Sequence, residues 1–100
     1  MAEIRLAVEH DLGREQARLR VERFIDEVRR EYGDRISDVR GQWSADLLEF
    51  SFIASGLTIR GALTVEEQHV RIIGPLPLAA SFFRGMIEQT MRQELEKLLR

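Results

Sequence analysis

A chain of 100 residues, 44% hydrophobic and 32% charged, has the composition of one folded domain and not of a disordered segment. Its formal net charge of −2 gives no reason to expect a nucleic acid or an anionic membrane as partner, and the absence of cysteine excludes disulfides, thiolate metal ligands and cysteine nucleophiles. No run approaches the roughly 18 apolar residues of a spanning helix, and Met1-Ala2-Glu3-Ile4-Arg5 has no basic region leading into an apolar one, so a single soluble, cytoplasmic domain over residues 1–100 is expected.

Ile4 to Glu9 alternates apolar and polar residues, the period of a half-buried strand. Asp11 is placed to cap a helix running from about Gly13 to Tyr32. Ala17, Val21, Phe24, Ile25, Val28 and Tyr32 form one stripe along it, and Gly33 is the residue type favoured just past a helix end. Ile36 to Trp43 reads as a weaker strand, polar and interrupted by Gly41. Leu48, Phe50, Phe52 and Ala54 share one face of the next strand, and Ser55-Gly56 is turn chemistry. Leu57, Ile59, Gly61, Leu63 and Val65 alternate with polar or small residues along a fourth strand. Val70 and Ile72 point inward from a fifth, after a Glu66-Glu67-Gln68 turn.

Gly74-Pro75-Leu76-Pro77 ends the sheet, because proline donates nothing to a ladder. A second helix from near Leu78 to the end carries Ala79, Phe82, Phe83, Met86, Ile87, Thr90, Met91, Leu95, Leu98 and Leu99 at helical spacing. The fold class is therefore α+β in the order β-α-β-β-β-β-α, a curved antiparallel sheet with both helices on one face. The other face, with Arg5, Glu9, Glu49, Ser51, Thr58, Arg60, Thr64 and Arg71, is expected to meet water.

Candidate chemistry is sparse. His10 continues the inward parity of Ile4, Leu6 and Val8 and reads as a structural histidine, and His69 as a surface residue. Glu66-Glu67 and Asp34/Asp38 read as solubilising acids of turns and strand ends. The first helix carries Arg18/Glu22, Arg23/Glu27 and Asp26/Arg30 at i,i+4, the spacing of exposed ion pairs. No glycine spacing matches a phosphate loop and no serine sits in a nucleophile elbow. No catalytic residue, metal site or cofactor is assigned. Of the 15 basic residues 14 are Arg, with Lys97 the exception, a bias that GC-rich codon usage accounts for.

Two features leave something over. Leu76, Leu78, Phe82, Phe83 and Met86 exceed what a narrow stripe needs: they either pack a closing helix fully or form an exposed apolar patch that meets a partner. Gly61, inward among Phe50, Phe52 and Leu63, leaves space where a cavity between sheet and helices would hold a hydrophobic ligand.

His10-x-Leu12-Gly13-x-x-x-Ala17-Arg18, Gly56, Gly61-x-Leu63-x-Val65, the run from Leu76 through Phe83-Arg84-Gly85-Met86-Ile87-Glu88, and Leu95, Leu98 and Leu99 occur in an order that resembles the polyhydroxyalkanoic acid system family. These are small bacterial proteins named for genes near polyhydroxyalkanoate synthesis and granule loci. The sequence departs from them in the polar stretch Ser37–Asp46 with Trp43. The resemblance implies a non-enzymatic accessory protein of polymer storage, with a granule or granule protein as partner or with itself in a homo-oligomer, and no catalytic residues to carry over. The element order also looks like a shortened helix-grip domain, which makes a small hydrophobic-ligand-binding domain the alternative.

Overall fold

The computed structural model describes residues 3–100, so the Met1-Ala2 start, on which the reading of the leader rests, lies outside it. Strand β1 (Glu3–Glu9) leads into helix α1 (Gly13–Glu31). Strands β2 (Ile36–Ser44), β3 (Leu47–Ala54), β4 (Leu57–Val65) and β5 (His69–Pro75) follow, then a 3-10 segment (Leu78–Phe83) and helix α2 (Arg84–Leu98). The five strands make one antiparallel sheet in the order β1-β5-β4-β3-β2. The meander β2 to β5 thus receives β1 at its far edge, and the architecture is the α+β arrangement expected.

The register explains the core. Directly opposed residues project to the same face, and Leu6, Ile72, Leu63, Leu48 and Trp43 lie opposite one another across all five strands. This apolar row meets Ala17 and Val21 of α1 and Leu95 and Leu99 at the end of the chain in one buried cluster. Each fully buried aliphatic side chain in it contributes about 1.5–3 kcal/mol.

Backbone chemistry sets the turns. Ser55 (φ 52°) and Gly56 (φ 76°) both take positive φ in the two-residue link between Ala54 and Leu57, the conformation of a type I′ hairpin whose twist matches the strands. In β2 the pairing shifts between Ser37 and Arg40, with Asp38 at φ 51°, so two residues bulge opposite Phe52.

At Gly61 and Gly74 the sheet needs the absence of a side chain. A Cβ on Gly61 would fall 2.5 Å from Cζ of Phe50, its cross-strand neighbour. A Cβ on Gly74 would collide with the carbonyl oxygen of Arg60 and lie 2.8 Å from Cα of Gly61. The β4–β5 ladder stops at Ala62 and Ile73, and beyond it β5 rides over β4. The sheet bends there.

The helix starts where expected but for a different reason. Leu12, in αR conformation, occupies the cap position with no side-chain cap bond, and Asp11 is exposed outside it. The Leu12 amide is taken instead by Nδ1 of His10 at 3.2 Å. Of the three i,i+4 pairs expected along α1, only Arg18–Glu22 forms among the described residues, and several of the helix's arginines reach other elements instead. Arg18 bonds Glu22 at 3.3 Å, reaches the Ala45 carbonyl at 2.9 Å and lies 4.5 Å over the Trp43 ring. Arg29 donates to the Val39 carbonyl of the bulge, while Asp26 lies 3.9 Å from Arg29 at i,i+3. Arg20 donates to the carbonyls of Leu98 and Arg100 at the end of α2, where a cation also suits the helix dipole. On the opposite edge, Arg92 of α2 donates to the Ala7 carbonyl of β1 at 2.9 Å.

Candidate functional site

The approach to α2 decides which apolar residues are left outside. Leu76, between two prolines, turns inward and is 2% exposed. It belongs to the core, which corrects its expected place in the surface patch. Pro77 is extended (φ −55°, ψ 146°) and launches a 3-10 segment. Ala80 is buried and anchors that segment, its amide bonds the Pro77 carbonyl at 2.9 Å, and Ser81 Oγ donates to the Leu78 carbonyl at 2.7 Å.

The tighter winding is the physical reason that a continuous helical stripe misplaces this stretch. A 3-10 turn advances about 120° per residue and an α-helix about 100°, so six residues rotate the side chains by roughly a third of a turn. Ile87, Met91, Leu95 and Leu98 of α2 pack on the core. Leu78 and Phe82 point away from it, 87% and 92% exposed, with Phe83 at 55% and Met86 at 62%. Arg84 and Glu88, on the first turns of α2, pair with each other at 3.1 Å. The result is an apolar knob with no net charge at its base.

The residues proposed to line a cavity lie otherwise. Phe50 is half buried, and its ring sits directly over Gly61. The space that Gly61 vacates is therefore filled by an aromatic ring, which corrects the reading of that glycine as open room. Phe52 stacks beside Phe50, with ring centroids 6.5 Å apart and planes 9° from parallel, and Leu63 is buried in the core row.

Both histidines have structural partners. An amide can only donate and a carbonyl only accept, so His10 Nδ1 accepts from Leu12 and the proton resides on Nε2, 3.0 Å from the Glu66 carbonyl. The buried ring thereby ties the end of β1 and the start of α1 to the β4–β5 turn. His69 faces Glu9 across the β1–β5 ladder, Nε2 3.9 Å from the carboxylate. Of the acids, Glu66 pairs with Arg71 and Asp38 with Arg40. Among the described residues no group of three or more His, Asp or Glu side chains is placed to hold a metal ion. No described helix is long and apolar enough to cross a membrane.

One surface was not singled out by the sequence. On the sheet face away from the helices, Arg40, Ser51 and Arg60 stand side by side, and Gln42, Glu49, Ala62 and Ile73 form the next row. They line an open trough of about 650 Å³ with Pro75 as one wall. Its signal lies in pairing register, which a single chain does not display.

A family model described as Putative polyhydroxyalkanoic acid system protein matches residues 4–99, and the chain belongs to that family. No curated protein and no solved structure matches the chain significantly.

Proposed function

We propose that this member of the polyhydroxyalkanoic acid system family is a non-enzymatic accessory protein that works in the cytoplasm at the polymer granule, docking on it through Leu78, Phe82, Phe83 and Met86. The observation that carries the reading is the exposure of these four large apolar side chains on consecutive turns while their neighbours Leu76 and Ala80 are buried. A folded chain does not ordinarily leave such residues together in water without a use for them.

The form of the patch favours a deformable apolar phase over a second protein. Leu78 and Phe82 are knobs, and a protein partner would need matching hollows for them, whereas a polymer surface yields around them. The Arg84–Glu88 pair neutralises the base of the knob, so the attraction of anionic lipid headgroups for basic residues is missing. Burying the four side chains would yield about 5–9 kcal/mol before the cost of association is subtracted. That suits reversible attachment. The engagement of both His10 nitrogens with backbone groups supports a non-enzymatic role, since neither is left to exchange a proton with a substrate.

The test is a fluorescent fusion expressed in a polymer-accumulating host, with cell fractionation alongside. The wild-type chain should sediment with granules, and a Phe82→Ser, Met86→Ser variant should remain in the soluble fraction while melting at an unchanged temperature. A uniformly dispersed wild-type fusion, with granule number unaffected by deletion, would overturn the reading.

A further inference from the structure

The outer sheet face carries a built feature besides solvated side chains. Where β5 rides over β4 at Gly74, the face is hollowed into the trough described above. Arg40, Ser51 and Arg60 are direct cross-strand neighbours, so the two arginine backbones are about 10 Å apart with a small hydroxyl between them. Three arginines of this face have a carboxylate partner: Arg5 with Glu3, Arg40 with Asp38, and Arg71 with Glu66. Arg60 makes no ion pair among the described residues, and it is exposed at the trough's edge. Beside it the lining turns apolar: Ala62, Pro75 and Ile73, the last 42% exposed.

We infer that this trough binds a hydroxy carboxylate with a short aliphatic chain. The free guanidinium of Arg60, with Ser51 beside it, takes the carboxylate in a charge-assisted hydrogen bond. Ala62, Ile73 and Pro75 receive the aliphatic chain. Glu49, opposite Ala62 and without an ion-pair partner among the described residues, accepts from the ligand's hydroxyl. Glu49 also sets the charge selectivity. One free cation with Glu49 in the adjacent row of the trough suits a single negative charge and repels a polyanion. A hydroxyalkanoic acid is this chemistry, so the inference rests on the family reading for its choice of ligand, while the site itself is separate from the docking knob.

The experiment is a titration of the full ¹⁵N-labelled chain with 3-hydroxyoctanoate, octanoate and inorganic phosphate, each below any micelle-forming concentration, followed by amide chemical shifts. Saturable shifts are expected over Arg40–Gln42, Glu49–Ser51 and Arg60–Ala62. Octanoate should bind about tenfold more weakly, and phosphate should not saturate. Arg60→Gln should weaken 3-hydroxyoctanoate at least tenfold, and Glu49→Gln should erase the preference for the hydroxylated acid. Absence of saturation, shifts centred on Leu78–Met86, or an unaltered affinity in Arg60→Gln would each overturn the assignment. The Phe82→Ser, Met86→Ser variant should bind the acid like wild type and Arg60→Gln should still reach granules, so either reading fails without the other.

Discussion

Gly61 and Phe50 offer a sharp test of how the sheet is packed. Replacing Gly61 by Ala puts a methyl group 2.5 Å from Cζ of Phe50 and 3.0 and 3.2 Å from its Cε atoms. Ordinary contact requires the ring to retreat by about 1 Å, and overpacking of this kind costs about 1–3 kcal/mol. Phe50→Ala alone removes a half-buried ring and should cost about 2–3 kcal/mol, somewhat below the value for a fully buried one. With the ring gone, Gly61→Ala meets no obstacle and should gain about 0.5–1 kcal/mol, because alanine loses less backbone entropy in a strand. The double variant should therefore be about 1.5–4 kcal/mol more stable than the sum of the single effects predicts. Gly74→Ala supplies the contrast. Its obstacle is the backbone of Arg60 and Gly61, which cannot swing aside, so its cost should be the same with or without Phe50. Urea unfolding of the variants, with m-values compared to exclude changes in the denatured state, measures all of this. Additive effects of Gly61→Ala and Phe50→Ala would refute the contact.

The remaining predictions concern local structure. His10→Ala should cost about 2–4 kcal/mol, since it strands the Leu12 amide and the Glu66 carbonyl at a buried junction, and hydrogen exchange at Leu12 should accelerate with it. Ser55→Gly should raise stability by up to about 1 kcal/mol, because glycine takes φ 52° without the steric penalty serine meets there, and thermal unfolding would show an increase of several degrees.

The sequence disclosed what periodicity controls. The strand alternation of Ile4-Leu6-Val8 and the helical stripe rest on repeats of two and 3.6 residues; the strand residues and Ala17 and Val21 are buried as read, whereas Phe24, Ile25 and Val28 are half-buried and Tyr32 at the stripe's end is exposed. It was less informative wherever a change of winding or a long-range partner decides the outcome. Leu76 and Phe82 carry similar hydrophobicity, yet Leu76, ahead of the 3-10 segment, is in the core, and Phe82, within that tighter winding, is in water. Asp11 is the conventional cap, yet a histidine ring took the amide, because β1 delivers His10 against the β4–β5 turn only after folding. Gly61 looked like vacant space, because the residue that fills it stands on the adjacent strand. Arg60 became distinctive only when the pairing of Arg5, Arg40 and Arg71 was visible.

The arginines that reach carbonyls at the two outer strands bear on crowding. Ala7 on β1 and Val39 on β2 each have a carbonyl oxygen occupied by a guanidinium, and the bulge at Asp38 interrupts the second edge further. A sheet blocked in this way resists extension by a strand from a neighbouring copy. Proteins concentrated on a particle are brought to local densities at which open sheet edges seed fibres. The occupied carbonyls of Ala7 and Val39 and the bulge at Asp38 leave fewer unpaired backbone groups at the edges of this sheet for such pairing, with arginines as the guards.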